Sequence, residues 1–217
     1  MEQTKEIFEK TYAHNFRDCF DPFMRYSLKS DPTALIEYID KKKSVILKRY
    51  NNCLWDLGFT PNIKMSIRSW LNNPEKWLYM HGNIGCGKTT LMSALYLELL
   101  KKGIDVCIFN VRQLEYEIKD GIETNSERKI LKQARNTAIL MLDDLGVETL
   151  SEYNLGWIYN LIDERQSDFR STIISSNLNM NDLREHYSKV NGIFAKRIVS
   201  RIKQNSFEIE FDNVPYR

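Results

Sequence analysis

The sequence predicts an α/β protein in which a parallel sheet flanked by helices surrounds a phosphate-binding loop, with a small all-helical region in front. Three observations carry this expectation. Downstream of Pro74, short apolar runs alternate with helical stretches, the pattern of βαβ units. One run leads into Gly82-x-x-x-x-Gly87-Lys88-Thr89, the phosphate-loop spacing, and on into a helix. The most apolar run of all ends on two adjacent aspartates, Asp143 and Asp144.

In chain order, a helical stretch is expected over 7–20. A longer amphipathic helix begins at Asp31-Pro32, an N-cap followed by proline at the first helical position, and ends at Gly58. A shorter helix is expected over 66–71 before Asn72-Asn73-Pro74 breaks the chain, so that residues 1–74 form the helical region and 75–217 the α/β domain. Trp77 to Met80 reads as a buried strand, and the helix from Lys88 to Leu100 should stop at Gly103. Strands follow at 106–109, 138–142 and 172–176, with helices at 112–119, 127–135, 153–165 and 194–202. The last segment, Phe207 to Phe211, alternates as an edge strand does.

A chain of 217 residues holds one domain with a sizeable core plus an extension. Its 42% hydrophobic and 28% charged residues exclude a disordered or fibrous chain. A net charge of +2 excludes a polycation, so nucleic-acid contacts would have to come from local clusters. One such run, Lys41-Lys42-Lys43 with Lys48-Arg49, fits either a solvated helix face or a surface for DNA or an acidic partner. The four cysteines are scattered, which points away from zinc and from a disulfide framework. With a polar N-terminus and no long apolar run, the expected compartment is cytoplasmic, without membrane association.

The chemistry is concentrated in four places. Gly82, Asn83, Ile84, Gly85, Cys86, Gly87, Lys88, Thr89 and Thr90 should bind ATP: the glycines turn backbone N–H groups toward phosphate, Lys88 reaches the β and γ phosphates, and Thr89 offers a hydroxyl to Mg²⁺. Asp143, at the tip of a buried strand, is placed to hold Mg²⁺, and Asp144 to polarise the attacking water. Glutamate is commoner in the second role, and its longer side chain has a different reach. Asn177, closing the next apolar strand, suits a γ-phosphate sensor or a simple turn. Arg197 and Arg201, four apart on one helix face, read either as solvated arginines or as an arginine finger given to a neighbouring subunit.

Together these motifs resemble the AAA+ helicase loaders of the DnaC/DnaI type and the related IstB-type transposition ATPases. The likeness runs from Trp77 to the C-terminus. It rests on the phosphate loop, on Leu142-Asp143-Asp144-Leu145-Gly146, on Ile174-Ser175-Ser176-Asn177-Leu178-Asn179 and on Arg197-Ile198-Val199-Ser200-Arg201-Ile202. The resemblance implies an AAA+ P-loop ATPase core that assembles into a spiral with nucleotide. Arg201 would be the finger, with Arg197 its alternative or partner, and Arg165 also fits the family pattern. Lys119, Ser151 and Tyr153 match positions that contact single-stranded DNA, whereas the aromatic expected near Ile122 is absent. The helical region would dock a hexameric DnaB-type replicative helicase. The lack of paired cysteines favours a DnaC-like or mobile-element variant over one with a zinc-binding N-terminal domain.

Three other readings stay open at this stage. An IstB-type regulator shares the motor but addresses a transposase. A nucleotide kinase needs an arginine-rich lid, and none is evident between Asp143 and Asn177. A helicase-binding protein that does not hydrolyse ATP is kept in view by Asp144.

Overall fold

The computed structural model describes residues 59–72, 76–101, 104–124 and 127–211. The helices expected over 7–20 and 31–58, the basic run at 41–49 and the stop at Gly103 lie outside them. The described elements are α1 (Pro61–Asn72), β1 (Trp77–His81), α2 (Lys88–Lys101), β2 (Val106–Asn110), α3 (Val111–Thr124), α4 (Glu127–Asn136), β3 (Ile139–Leu145), α5 (Glu152–Ser167), β4 (Ser171–Ser176), α6 (Met180–Ser188), α7 (Gly192–Asn205) and β5 (Ser206–Glu210).

The five strands form one sheet in the order β2-β3-β4-β1-β5, and every pairing is parallel. β1 and β4 are buried at every position because helices cover both faces, which is why they read as continuous apolar runs. β5 takes the edge beyond β1, as its alternation predicts, with Ile209 and then Phe211 turned into the core. On one face, Leu78, Met80, Met141 and Ile173 pack against Leu91, Met92 and Leu95 of α2 and Ile63, Ile67 and Trp70 of α1. On the other, Tyr79, Leu140, Leu142 and Ile174 meet residues of α3 to α7.

Two helices differ from expectation. α1 starts at Pro61 rather than Ser66, because Thr60 accepts a bond from the Ile63 amide and Pro61 takes the first helical position, where no N–H is needed. Its Trp70 is fully buried and donates from Nε1 to Lys76 O at 2.6 Å, so α1 packs as part of the α/β core. α6 was not expected at all. Asn179 caps it through the Asn181 and Asp182 amides, and only Met180, Leu183 and Tyr187 face inward.

The sheet is braced at the end opposite the phosphate loop by Arg165, which is 1% exposed. Its guanidinium donates to the carbonyls of Ala134 (2.9 Å), Arg135 (3.0 Å), Thr137 (2.9 Å) and Ser171, and to Thr172 Oγ1 (2.9 Å). It thereby satisfies the last carbonyls of α4 and ties them to β4. Burial, with the charge of Arg170 in second place, pushes its pKa down to about 9, which leaves it charged at neutral pH. Arg165 is therefore a structural brace. Arg165→Lys keeps the charge but loses the planar fork of donors, and should lower stability in urea unfolding by about 2 kcal/mol or more. An unchanged midpoint would show that the fork is dispensable.

Candidate nucleotide site

β1, β4 and β3 are adjacent and parallel, so the loops at their C-terminal ends converge, the place where open α/β sheets bind ligands. The loop after β1 turns sharply, with φ of +148° at Gly82, +83° at Gly85 and +100° at Gly87, values that side-chain-bearing residues rarely adopt. Gly82 has a second reason to be glycine: an added Cβ would lie 2.8 Å from Phe211 O and 2.9 Å from Phe211 Cβ. Phe211 is held there by its own amide, which donates to His81 O at 2.8 Å, and its ring meets Phe59 edge-on. Cys86 is buried in the same apolar cluster, so its role in the loop is packing.

Lys88, the first residue of α2, is 5% exposed and folds back into the loop, donating to Gly82 O at 2.7 Å and Asn83 O at 2.9 Å. Thr89 stands at the surface, its Oγ1 3.2 Å from Asp143 Oδ2. A hydroxyl and a carboxylate side by side at a helix N-terminus are hard oxygen donors that suit Mg²⁺, which keeps several waters and takes its remaining ligands from phosphates. Among the described residues no group of three or more His, Cys, Asp or Glu is arranged for a metal ion.

The two acids sit in an irregularity of β3. Leu142 pairs with Ile174 but Leu145 with Ser176, so three steps along β3 match two along β4. Asp144 takes up the extra residue with φ +62°, a left-handed conformation that aspartate tolerates better than most side chains. Ser175, fully buried opposite the bulge, accepts from the Asp144 amide at 2.9 Å and donates to Asp143 Oδ1 at 2.5 Å. Burial raises the Asp143 pKa, opposed by the Ser175 hydrogen bond, raised again by Asp144 and lowered by Thr89 and Lys88, with a net upward direction. Asp144 is partly exposed, and Asn110 Nδ2 donates to its Oδ2 at 3.3 Å. Asn110 Oδ1 also accepts from the Arg112 and Gln113 amides, so one side chain caps α3 and touches the second acid.

Neither Ser175 nor Asn110 was singled out from the sequence. The expected sensor, Asn177, follows β4 directly and is partly exposed. Next to the acids, Glu148 is buried, accepting from the Gly146 amide at 2.9 Å and from Tyr187 Oη at 2.5 Å, which ties this loop to α6.

The three residues matched to DNA contacts fall on α3 and the start of α5. Lys119 is half exposed and its Nζ donates to Glu115 Oε1 at 2.6 Å. Glu115, 1% exposed, also accepts from the Thr149 amide and from Asn154 Nδ2, both at 3.0 Å. Burial alone would raise its pKa, but the bonds from Lys119, Thr149 and Asn154 outweigh it and bring the carboxyl to about 2. Ser151 is the N-cap of α5, accepting from the Asn154 amide, and Tyr153 is exposed. Tyr116, exposed one turn before Lys119, carries the Arg112 guanidinium over its ring at 5.4 Å.

Arg197 and Arg201 do share one side of α7, where both lie over the ring of Tyr159 from α5. Arg201 donates from Nε to Asp163 Oδ1 at 2.5 Å, whereas Arg197 is exposed.

Comparison with known proteins agrees with this fold. The family model described as IstB-like ATP binding protein matches residues 64–217. The chain is 27% identical over 143 residues to the replicative helicase loader DnaI of Bacillus subtilis (strain 168), and 30% identical over 139 residues to the replicative helicase loader DnaC of Escherichia coli (strain K12). Each match covers 63% of this chain but only 46% and 54% of those relatives, about half their length. A crystal structure of DnaI superposes with a TM-score of 0.64 at 28% identity, covering 71% of this chain and 87% of that one. The α/β class and the AAA+ arrangement of the core expected from the motifs are thus found.

The Glu115 clamp sets a pH dependence. A carboxyl held at about 2 against its ordinary 4.5 stabilises the fold above about pH 4.5, and that contribution is lost as pH falls toward 2. Glu115→Gln should cost about 2 kcal/mol at pH 7, with the difference from the unsubstituted chain vanishing near pH 2. A difference independent of pH in denaturant titrations would refute this.

Proposed function

We propose that this chain, which belongs to the family of IstB-like ATP-binding proteins, is an ATP-dependent loader that places a hexameric DnaB-type replicative helicase on single-stranded DNA. The observation that carries the nucleotide part is the meeting of Lys88, Thr89 and Asp143 around one loop, with Asp143 fixed by Ser175. The loader part is supported by similarity to DnaC and DnaI, named as replicative helicase loaders.

In this reading Lys88 exchanges the loop carbonyls for the β and γ phosphates; Thr89 and Asp143 would hold Mg²⁺, and the ion would supply positive charge against that developing on the phosphates. Asp144 orients the attacking water, with Asn110 fixing its carboxylate and Asn177 beside the γ-phosphate. Asp144 reaches less far than a glutamate, so hydrolysis is slow and rises with DNA or partner. Arg201, with Arg197 beside it, completes the site of a neighbouring subunit, which makes ATP a switch for spiral assembly. Lys119, Ser151 and Tyr153 face single-stranded DNA, and Tyr116 with Arg112 adds an aromatic and a positive charge next to them. The region before α1 docks the helicase.

The description of the matching family favours one second reading, an IstB-type ATPase that regulates a transposase with the same motor. Copurification with the host replicative helicase, with and without ATP, separates the two. The deletion to use removes residues 1–58, because α1 belongs to the core. A complex lost on that deletion is expected; no complex under any nucleotide condition would move the assignment to the transposase regulator. Independently, Arg201→Ala should leave ATP affinity within about threefold while abolishing DNA-stimulated turnover, since it removes a group needed only at the neighbour's phosphate. Unchanged turnover would sink the finger.

A further inference from the structure

Two arginines on a helix surface are normally solvated and mobile, with many rotamers open to each. Here both guanidiniums are gathered on one ring: Arg201 Cζ lies 4.9 Å and Arg197 Cζ 5.8 Å from the centroid of Tyr159. The ring is itself packed, partly buried, with Phe194 of α7 at 5.6 Å. Arg201 is fixed more closely still. Its Nε and Nη2 both engage Asp163, and Nη2 also reaches Tyr159 Oη at 3.2 Å. Nη1 has one long contact, 3.5 Å to Arg197 O.

We propose that Tyr159 and Asp163 of α5 are positioning residues for the intersubunit arginine site: Tyr159 is the platform that holds Arg197 and Arg201 side by side, and Asp163 sets the rotation of the Arg201 fork. The proposal rests on the reading of Arg201 as a finger. Two guanidiniums against one carboxylate leave a positive charge, which suits an anion such as the γ-phosphate of a second copy's ATP. Tyr159 supplies cation–π attraction to both guanidiniums and, apart from the one Arg201 Nη2 bond to its Oη, leaves their N–H groups to that anion. Asp163 occupies the Nε/Nη2 edge and leaves Nη1 for the incoming oxygen. Freezing the fork before assembly lowers the ordering cost of docking it on a neighbour.

The test uses the full chain and measures ATP turnover with single-stranded DNA, alongside binding of a fluorescent ATP analogue. Tyr159→Leu removes the platform and should reduce stimulated turnover about tenfold or more, with nucleotide affinity unchanged. Tyr159→Phe keeps the ring and should retain most of that turnover, and Asp163→Asn should fall between the two. Mixing separates a positional defect from a folding defect. Tyr159→Leu subunits still bind ATP and Lys88→Ala subunits still present Arg201, so the two inactive variants should restore turnover at their shared interfaces. Normal turnover by Tyr159→Leu, or loss that Lys88→Ala subunits do not restore, overturns the proposal. The same mixture made with Arg201→Ala tests the finger alone: recovery there beside an unimpaired Tyr159→Leu leaves the finger standing and removes only the platform. No recovery with Arg201→Ala, or no turnover by the unsubstituted chain, removes the reading on which the platform stands.

Discussion

Asp143 is a carboxylate 8% exposed at the tip of the most apolar strand, and the cost of placing charge there governs what surrounds it. Three devices meet that cost. Ser175 donates from the neighbouring strand, Thr89 donates from the start of α2, and Lys88 brings a positive charge through the loop. Ser175 comes from β4 and Thr89 and Lys88 from the first turn of α2, so the carboxylate is comfortable only when β3, β4 and α2 are all in place. The bulge in β3 belongs to the same arrangement, because it lets one serine hydroxyl serve both the Asp143 side chain and the Asp144 amide.

That dependence explains what the sequence revealed and what it did not. Strands buried on both faces announce themselves as unbroken apolar runs, and Trp77 to Met80, Ile139 to Leu142 and Thr172 to Ser176 were legible for this reason. The turns of the loop after β1 were legible because they are local, set by the glycines within Gly82 to Thr89. Ser175 was hidden: its partner Asp143 lies 32 residues upstream and they meet across a register shift that no periodicity encodes. Asn110 was equally hidden, a polar residue at a strand end whose two tasks depend on β3 lying beside β2. α6 escaped notice because Met180-Asn181-Asp182-Leu183-Arg184-Glu185-His186-Tyr187-Ser188 is mostly polar, with three inward residues at helical spacing and a cap at Asn179 as its available signals.

The same contacts link distant surfaces. Asn110 joins the second acid to the first turn of α3, whose outer face bears Arg112, Tyr116 and Lys119. Glu115 ties that helix to Thr149 and Asn154 at the entrance to α5, and α5 carries Tyr159 and Asp163 toward the α7 arginines. A rigid-body shift of α3 would therefore be felt at the acid pair and at the base of α5, through side chains that are partly or fully buried. This is a continuous physical connection; coupling along it is a matter of free energies and not of proximity.

Phe211 has a consequence for biosynthesis. The phosphate loop turns where Gly82 lies against Phe211, and that residue follows β5, the last strand in sequence order. β1 has β4 on one side and β5 on the other, both from the second half of the chain, so the strand leading into the loop is translated long before either neighbour. A nascent chain carries the whole nucleotide-binding motif while lacking the wall that shapes it. Pairing so remote in sequence is slow to form, because loop closure precedes any reward from contact. The Gly82–Thr89 motif thus leaves the ribosome early, and the wall beside it is completed late.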